Sequence, residues 1–287
     1  MSKTLDQYEK LTDLHTMQDM LRDLMQELHL ICEANGLSYS LTDGTLLGAV
    51  RHQDIIPWDD DIDIIMPRPD FNKLIEIIQN EYSDKYTFFY YPKKNYIYPY
   101  GKFCKNGTIL YENALEKKYS KLGLYIDVFP LDGLPEMSDE EMDALFAKAL
   151  KYKRLTGKAA GKITPSPVWW KKGFVVVRWL YKLILQIFGY KYFLKKQIKL
   201  ATRYSFEDCD TVGFIPPWIG GKKGLCDKQD YLDQQLYPFG KYQFWGMKNY
   251  DKKLTKLYGD YMTPPPPHQR TAPHAYDLYI KKDSAVK

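Results

Sequence analysis

The hydrophobic pattern of the chain begins with a helical period. Apolar side chains between Leu14 and Leu28 recur every three or four residues, which predicts a first helix over about 4–35, and Gly36 is a suitable helix stop. Residues 67–79 have the same period after a proline start, which predicts a second helix. Ser138 precedes an acidic first turn and predicts the start of a third helix.

Between and around these helices the pattern changes to short strand-like runs. Strands are predicted over 37–41, 59–66, 86–91, 96–104, 108–111 and 124–129. This order of elements indicates an α+β fold, with a mixed sheet flanked by helices. The proline run at 264–267 cannot continue a helix, so we expect the ordered core to end there.

A basic segment interrupts an otherwise acidic chain. Residues 144–206 contain fifteen Lys and Arg residues and no Asp or Glu, whereas the rest of the chain has 26 basic and 36 acidic residues. Such a segment attracts phosphate groups on anionic lipid, on a polyanionic polymer or on nucleic acid, although a solvated helical face has the same composition. It contains no recognisable DNA- or RNA-binding motif, so we expect no nucleic acid partner.

Within the basic segment, residues 169–190 predict an unusually apolar helix. Its polar positions form one narrow stripe at helical spacing: Lys171, Arg178, Lys182 and Gln186. The charges interrupt every apolar run well before the roughly 18 residues that a spanning helix needs. The pattern is typical of a helix at the surface of an anionic membrane and equally of a core helix with one solvated edge, and both alternatives stay open.

Composition indicates a cytoplasmic globular protein. With 287 residues, of which 45% are hydrophobic, the chain can bury a sizeable core as one domain. Its four cysteines form no CxxC pair and predict neither a zinc site nor a disulfide framework. The polar N-terminus lacks the order of a signal peptide, so we expect a cytoplasmic location, extended to the inner face of the membrane if residues 169–190 bind lipid.

The strongest chemical motif is WDDDIDIIM, residues 58–66. Alternation along a strand would place Asp59, Asp61 and Asp63 on one face and Asp60 with the isoleucines on the other. Three like charges at this spacing repel one another, and a cation would compensate them. Carboxylate oxygens favour Mg²⁺ or Mn²⁺ over zinc. The alternatives are an acidic strand end or a structural calcium loop, but the glycine and distal glutamate of an EF-hand are absent.

Four motifs in order carry a resemblance to a known family: DGTLLGAVRH, IPWDDDID, IDVFPLDGLP and LTKLYGDYMTPP. They extend from about residue 40 to 265 and resemble the LicD family, which is related to fukutin and fukutin-related protein. The resemblance implies a nucleotidyltransferase-like core over 1–135, an inserted basic helical subdomain over 136–206, and a C-terminal part, 207–287, that completes the core. Near residues 239–251 the sequence departs from the family pattern, which leaves the acceptor specificity open.

The resemblance also implies an activity and its residues. The family transfers a phospho-alcohol, typically phosphocholine from CDP-choline, onto a sugar of a cell-surface glycan, teichoic acid or lipid-linked precursor. Gly44 and Thr45 match the phosphate-binding pair of the superfamily. Asp61 and Asp63 match its paired metal-binding aspartates, and Asp127 matches its third acid, as a general base or as a third metal ligand. Asp59 and Asp60 remain candidates if the strand register is shifted by one residue.

Three neighbouring residues are candidates for donor binding. Arg51 and His52 could clamp the pyrophosphate, although a surface Arg–His pair is the more common outcome. Trp58 could stack on the cytosine ring or simply be buried beside the site.

Two other functions remain open from the sequence. One is nucleotidyl transfer, in which the same site attaches a nucleoside monophosphate to a small acceptor. The other is an inactive domain that binds membrane or polyanion through residues 144–206, although the intact set of acids argues against it.

Overall fold

The structure is a computed structural model that describes residues 6–93, 95–111, 122–161, 174–215, 221–272, 274 and 277–282. The helices are α1 (Leu14–Asn35), α2 (Asp43–His52), α3 (Arg68–Glu81), α4 (Asp139–Ala160), α5 (Phe174–Ala201), α6 (Lys228–Leu232) and α7 (Tyr250–Tyr258). The strands are β1 (Tyr8–Leu11), β2 (Ser40–Leu41), β3 (Asp63–Pro67), β4 (Tyr86–Phe89), β5 (Gly101–Lys105), β6 (Thr108–Tyr111), β7 (Tyr125–Leu134), β8 (Thr211–Gly213), β9 (Cys226–Asp227), β10 (Gln234–Phe239), β11 (Tyr242–Met247) and β12 (Asp277–Lys281).

A mixed sheet forms the centre of the molecule. Its strands follow the order β10-β11-β2-β3-β7-β5-β4, and β8 pairs with β7 and with β9 at one side. The pairs β3–β7 and β11–β2 are parallel, and the other neighbours are antiparallel. Every residue of β7 is buried, as expected for an interior strand that is covered on both faces. Helices flank this sheet, so the α+β prediction is confirmed.

The long helix α1 supplies much of the core next to the sheet. Its N-terminus is capped by Asp13, whose carboxylate accepts a hydrogen bond from the Thr16 amide at 2.8 Å. Its C-terminus ends at Gly36, which has a φ of 61° that favours glycine. The buried face follows the predicted period: Met17, Leu21, Leu24, Met25, Leu28 and Ile31.

The two ends of the chain differ from the sequence predictions. Residues 8–11 form β1 and not the first turns of a helix, because they pair with β12 in a small sheet of order β1-β12-β6. Accordingly, the prediction that ordered structure ends at 264–267 is wrong. The proline run leads into the turn Pro267–Gln269, and β12 follows. Pairing between the two ends is a long-range contact that local periodicity does not show.

The acidic motif also has a different local structure from the predicted one. The strand begins only at Asp63, whereas residues 59–62 run as a loop into it. The strand prediction over 59–66 was therefore wrong in its first half. The loop contacts α1, where the side chain of Gln18 donates to the Asp59 carbonyl at 2.8 Å.

Helices α4 and α5 form a hairpin beside the sheet. Ser138 caps the start of α4, as the sequence predicted, and Glu141 completes a reciprocal capping box with it. Helix α5 has a kink at Gly189, whose φ of 71° and ψ of 157° are not helical. The beginning of the predicted helix 169–190, including Lys171, lies outside the described residues, and so does the side chain of Arg178.

The hairpin leaves most of the apolar side chains of α5 on the surface. Those at least 38% exposed are Val177, Trp179, Leu180, Tyr181, Leu183, Ile184, Ile187, Phe188 and Tyr192. Leu185 and Phe193 pack instead against α4. Of the two alternatives from the sequence, the core helix with one solvated edge does not fit the described part of residues 169–190, where most apolar side chains are exposed. Across the part of the chain that the structure describes, no helix has the length and hydrophobicity to cross a bilayer.

Candidate active site

Three charged side chains form a row across the centre of the main sheet. Lys102 on β5 pairs with Asp127 on β7, and Asp127 pairs in turn with Asp63 on β3. Opposed residues on neighbouring strands share a face of the sheet. The Lys102 ammonium lies 2.8 Å and 3.1 Å from the two Asp127 carboxylate oxygens and 3.3 Å from the centroid of the Tyr125 ring. One buried cation thus compensates one of two adjacent acids.

Two further acids reach this row from the loop before β3. The carboxyl groups of Asp59 and Asp61 hydrogen-bond to each other, and both act electrostatically on Asp63. The Asp61 side chain remains 17% exposed, so the cluster has an opening to solvent. The structure therefore brings together the three acids that the sequence suggested as metal ligands, and it places the proposed third acid, Asp127, beside them.

Burial and mutual repulsion raise the pKa values of these acids. Burial, then the Asp61 charge, raises the pKa of Asp59 to about 8. Burial also raises the pKa of Asp63 well above its ordinary value, with further contributions from Asp61 and Asp127. The pKa of Asp61 is raised by burial, although His274 opposes the shift. Carboxylates in this state gain most from a bound cation, which would compensate several of them at once.

The start of α2 lies directly against the acid cluster. The amide of Asp63 donates to Thr45 Oγ1 at 2.8 Å, so Thr45 fixes the first residue of β3. A Cβ atom on Gly44 would lie 3.3 Å from Asp59 Oδ2, which is why a residue without a side chain fits here. Asp43 precedes them in a left-handed conformation with a φ of 46°, and its charge adds to the raised pKa of Asp63.

The segment after α7 crosses the mouth of the site. We call residues 259–272 and 274 the C-terminal strap. Arg51 anchors it by donating to the Tyr261 carbonyl at 2.5 Å. Further along, the guanidinium of Arg270 lies 5.3 Å from the centroid of the Trp58 ring. His52 meets the same ring edge to face, at 5.9 Å between centroids. The predicted donor-binding residues Arg51, His52 and Trp58 are thus grouped together, under the strap.

The strap also brings a histidine to the acids. His274 Nδ1 lies 3.0 Å from Asp60 Oδ1 and 3.6 Å from Asp61 Oδ2. Asp60 is buried and points towards the strap, whereas Asp59 and Asp61 contact each other. Among the residues that the structure describes, Asp60, Asp61 and His274 each offer a ligand atom within 4.8 Å of the others.

The residues present fit a divalent cation. Carboxylate oxygens alone suit Mg²⁺ or Mn²⁺, and a set with one imidazole also suits Mn²⁺. Asp61 belongs to both sets, since it lies between Asp59 and His274. The predicted set of Asp59, Asp61 and Asp63 stays a prediction. Asp60, a candidate from the sequence if the strand register is shifted by one residue, and His274, which sequence reasoning did not single out, are further candidate ligands.

Two more residues at the site were missed from the sequence. Lys102 is only 2% exposed, and a lysine within the apolar run of a predicted strand was a usable signal. Tyr258, at the end of α7, is 42% exposed, yet its pKa is raised by desolvation of the hydroxyl and then by the nearby acids, Asp43 and Asp63 first. It belongs to the motif LTKLYGDYMTPP, which pointed to the family without assigning this residue a place.

Comparison with known proteins agrees with this geometry. The family model "LicD/FKTN/FKRP, nucleotidyltransferase domain" matches residues 36–143, which contain every site residue predicted from the sequence. The chain is 29% identical to the lipopolysaccharide cholinephosphotransferase LicD of Haemophilus influenzae over 277 residues, which cover 95% of this chain and 99% of that protein. It is 50% identical to the ribitol 5-phosphate transferase FKRP of Homo sapiens over 44 residues, 15% of this chain and 9% of that protein. These matches agree with the resemblance that the four motifs indicated: residues 36–143 match the domain shared by LicD, FKTN and FKRP, and nearly the whole chain is similar to LicD of Haemophilus influenzae.

Proposed function

We propose that this protein transfers a phospho-alcohol from a CDP-alcohol to a hydroxyl group of a cell-surface glycan, teichoic acid or lipid-linked precursor. Phosphocholine, from CDP-choline, is the first candidate for the transferred group. The observation that carries the proposal is the buried cluster of Asp59, Asp61 and Asp63 against the start of α2. Similarity to a cholinephosphotransferase along nearly the whole of both chains supports the phosphocholine donor. The shorter similarity to a ribitol 5-phosphate transferase supports the wider class of phospho-alcohols.

In the proposed reaction, the acceptor hydroxyl oxygen attacks the phosphorus atom that carries the alcohol. A new P–O bond forms, the P–O bond to CMP breaks, and CMP leaves with that electron pair. The hydroxyl proton needs an acceptor within hydrogen-bond reach, and we assign this role to Asp127. Lys102 compensates the charge of the Asp127 carboxylate and fixes its position. The alternative role for Asp127 is that of a third metal ligand beside Asp63.

A bound Mg²⁺ or Mn²⁺ would stabilise the negative charge that develops on the departing CMP. Asp61 and Asp63 would hold it, with Asp59 as a further ligand. The amide of Gly44, at the positive end of α2, would bind a phosphate oxygen of the donor. Thr45 would contribute by holding Asp63 in place through the 2.8 Å hydrogen bond to its amide.

The direct test is CMP release from a panel of CDP-alcohols. The purified protein is incubated with Mg²⁺ and CDP-choline, CDP-ribitol or CDP-glycerol, with and without an acceptor glycan. We expect CMP from one donor, loss of that release in Asp61→Ala, and normal release in the exposed-acid control Asp233→Ala. Absence of CMP from all three donors would refute the proposed donor class.

Nucleotidyl transfer is distinguished by which half of the donor reaches the acceptor. The acceptor product is analysed by mass spectrometry after incubation with a CDP-alcohol or with a nucleoside triphosphate. A phospho-alcohol on the acceptor supports our proposal. A nucleoside monophosphate on the acceptor would move the assignment to nucleotidyl transfer by the same acids.

We also propose that α5 attaches the protein to an anionic membrane surface, where a lipid-linked acceptor would be found. The exposed apolar residues Leu180, Ile184 and Ile187 recur at helical spacing. Lysines accompany the exposed aromatic rings: Lys158 lies 5.4 Å from the Tyr181 ring centroid, and Lys196 lies 5.4 Å from that of Tyr192. Apolar and aromatic side chains flanked by lysine are typical of helices at an anionic lipid interface. A cytoplasmic location at the inner face of the membrane stays a prediction.

Sedimentation with vesicles tests this attachment. Vesicles with and without anionic lipid are mixed with wild type, Ile184→Glu/Ile187→Glu and the control Leu30→Glu, which alters an exposed leucine of α1 outside the basic segment. We expect wild type and control to sediment with anionic vesicles at low salt and the double variant to remain in solution. Wild type that stays in solution with all vesicles would refute the attachment.

A further inference from the structure

Two arginines at the mouth of the site form no ion pair with any residue that the structure describes. Arg51 Nε donates to His52 Nε2 at 3.0 Å, His52 contacts Trp58, and Arg270 lies over the Trp58 ring. Within the described ranges, no carboxylate lies within 4.0 Å of the Arg51 or Arg270 guanidinium. By contrast, Arg22 and Arg68 each contact a carboxylate at 2.6 Å.

This arrangement costs free energy unless an anion binds to it. The repulsion is visible in the pKa values: that of Arg51 is lowered by desolvation and then by Arg270, and that of His52 is lowered by desolvation and then by both arginines. Two guanidinium groups around one polar ring can donate several charge-assisted hydrogen bonds to phosphate oxygens.

The structure holds the two arginines in place from different elements. Arg51 belongs to the last turn of α2 and donates to the Tyr261 carbonyl at 2.5 Å. Arg270 belongs to the C-terminal strap, where its Nε donates to the Pro265 carbonyl at 2.8 Å and fixes it beyond the proline run. Among the described residues, no further acceptor contacts the remaining donors of either guanidinium group, which leaves these donors for an anion.

We propose that Arg270, together with Arg51 and His52, binds the diphosphate group of a nucleoside diphosphate donor. The site lies between the strap and the acid cluster, which the strap contacts again through His274 and Asp60. A diphosphate placed there would have a cation held by the acids on one side and the arginines on the other. The choice of a nucleotide as ligand rests on the proposed function, whereas the anion site itself does not.

The position of Arg270 also changes the role of Trp58. Arg270 covers the ring and His52 meets its edge, so Trp58 serves as a platform for the guanidinium. Stacking of the donor base on the ring face that Arg270 covers would require the strap to leave. We therefore assign that face of Trp58 to positioning Arg270.

Calorimetric titration with two ligands tests the site apart from catalysis. Inorganic pyrophosphate and CDP are each titrated, with Mg²⁺ present, into wild type, Arg51→Ala, Arg270→Ala, Arg270→Lys and Arg203→Ala. Arg203 is a matched control, because its guanidinium is exposed and lies 5.2 Å from the Tyr204 ring centroid, outside the site. Since Arg270 is itself exposed, its substitutions remove no core packing, and thermal melting verifies the fold.

We expect Arg51→Ala and Arg270→Ala each to weaken both ligands at least about tenfold, in line with the loss of a charge-assisted hydrogen bond. Arg270→Lys should lose less than Arg270→Ala, and Arg203→Ala should bind like wild type. Equal affinities in wild type and Arg270→Ala, or no pyrophosphate binding by wild type, would overturn the inference. Pyrophosphate binding that depends on Arg270 without CDP binding would support the anion site and contradict the nucleotide donor.

Discussion

The acid cluster buries charged side chains, whereas helix α5 exposes large apolar ones. In the cluster, Asp59 and Asp63 are withdrawn from water beside other carboxylates. On α5, Ile187 is 80% exposed and Phe188 is 54% exposed. Charged groups are ordinarily on the surface and large apolar groups ordinarily in the core.

The two regions also differ in the kind of ligand that would stabilise them. Asp132, a buried acid elsewhere on β7, is compensated by a bidentate ion pair with Arg68, at 2.8 and 2.6 Å. Among the described residues, no lysine or arginine forms an ion pair with Asp59, Asp61 or Asp63, and Lys102 contacts the neighbouring Asp127. A divalent cation would compensate the negative charge of the cluster, and a bilayer surface would cover the exposed apolar side chains of α5. Buried charge and exposed hydrophobicity thus indicate two different ligands on one chain.

The largest expected effect is on catalysis. Asp61→Asn keeps the size of the side chain but removes a charge, so we expect CMP release to fall by about 10²–10³-fold or more, the scale of losing one preorganised electrostatic group. The exposed control Asp233→Asn should retain wild-type release. Steady-state rates with the preferred CDP-alcohol measure the difference, and a loss below about fivefold would remove Asp61 from the metal site.

The next largest effect concerns the one buried cation of the row. Lys102→Met leaves the buried Asp127 carboxylate without its partner, and we expect the free energy of unfolding to drop by about 3–5 kcal/mol. Lys102→Met/Asp127→Leu removes both charges and should recover most of this loss. Urea denaturation measures both. A single variant as stable as wild type would mean that the Lys102–Asp127 pair contributes little to the fold.

We expect the stability of the protein to depend on pH and on bound metal, because the acid cluster titrates and binds cations. The folded-state pKa of Asp59 is raised to about 8 from an ordinary value near 4, so the metal-free protein should lose stability as pH rises through that interval. Ionised acids bind cations more tightly, so stabilisation by Mg²⁺ or Mn²⁺ should grow with pH over the same interval. Metal at 100 times its dissociation constant should add about 2.7 kcal/mol.

Thermal melts at several pH values, with EDTA or with metal, measure this effect. Asp59→Asn serves as the comparison, because it removes the titrating group and should flatten the pH dependence. A melting temperature of the metal-free protein that rises steadily from pH 5 to pH 8 would contradict the assigned pKa direction.

The smallest expected effect is on the stability of α5. Ile184→Glu/Ile187→Glu changes exposed residues, so the free energy of unfolding should shift by no more than about 0.5 kcal/mol per substitution. Urea denaturation in the absence of lipid checks this. A loss of several kcal/mol would show that these isoleucines are buried in solution, for instance between two copies of the chain, and the contrast with the acid cluster would fail.

The sequence was most informative where chemistry depends on neighbours along the chain. The periods of α1 and α3, the N-cap of α4 and the acids Asp59, Asp61 and Asp63 were all predicted from local patterns. The group of Arg51, His52 and Trp58 was also within reach, since these residues are close in sequence.

What the sequence did not predict depends on contacts between distant segments. His274 reaches Asp60 across 214 positions, and Lys102 meets Asp127 only through the register of β5 against β7. Local patterns do not encode register or the return path of a strap. The exposure of α5 was undecided for the same reason, because an apolar helix has one pattern whether a core or a membrane covers it.

Binding of Mn²⁺, followed by electron paramagnetic resonance at pH 8, tests most directly whether the acid cluster is a divalent-cation site. Wild type, Asp63→Asn and the control Asp233→Asn are titrated at equal protein concentration. We expect a stoichiometric Mn²⁺ site in wild type and control and at least tenfold weaker binding in Asp63→Asn. Equal Mn²⁺ binding by Asp63→Asn and wild type, or no binding by either, would contradict the assignment of a metal-dependent site to these acids.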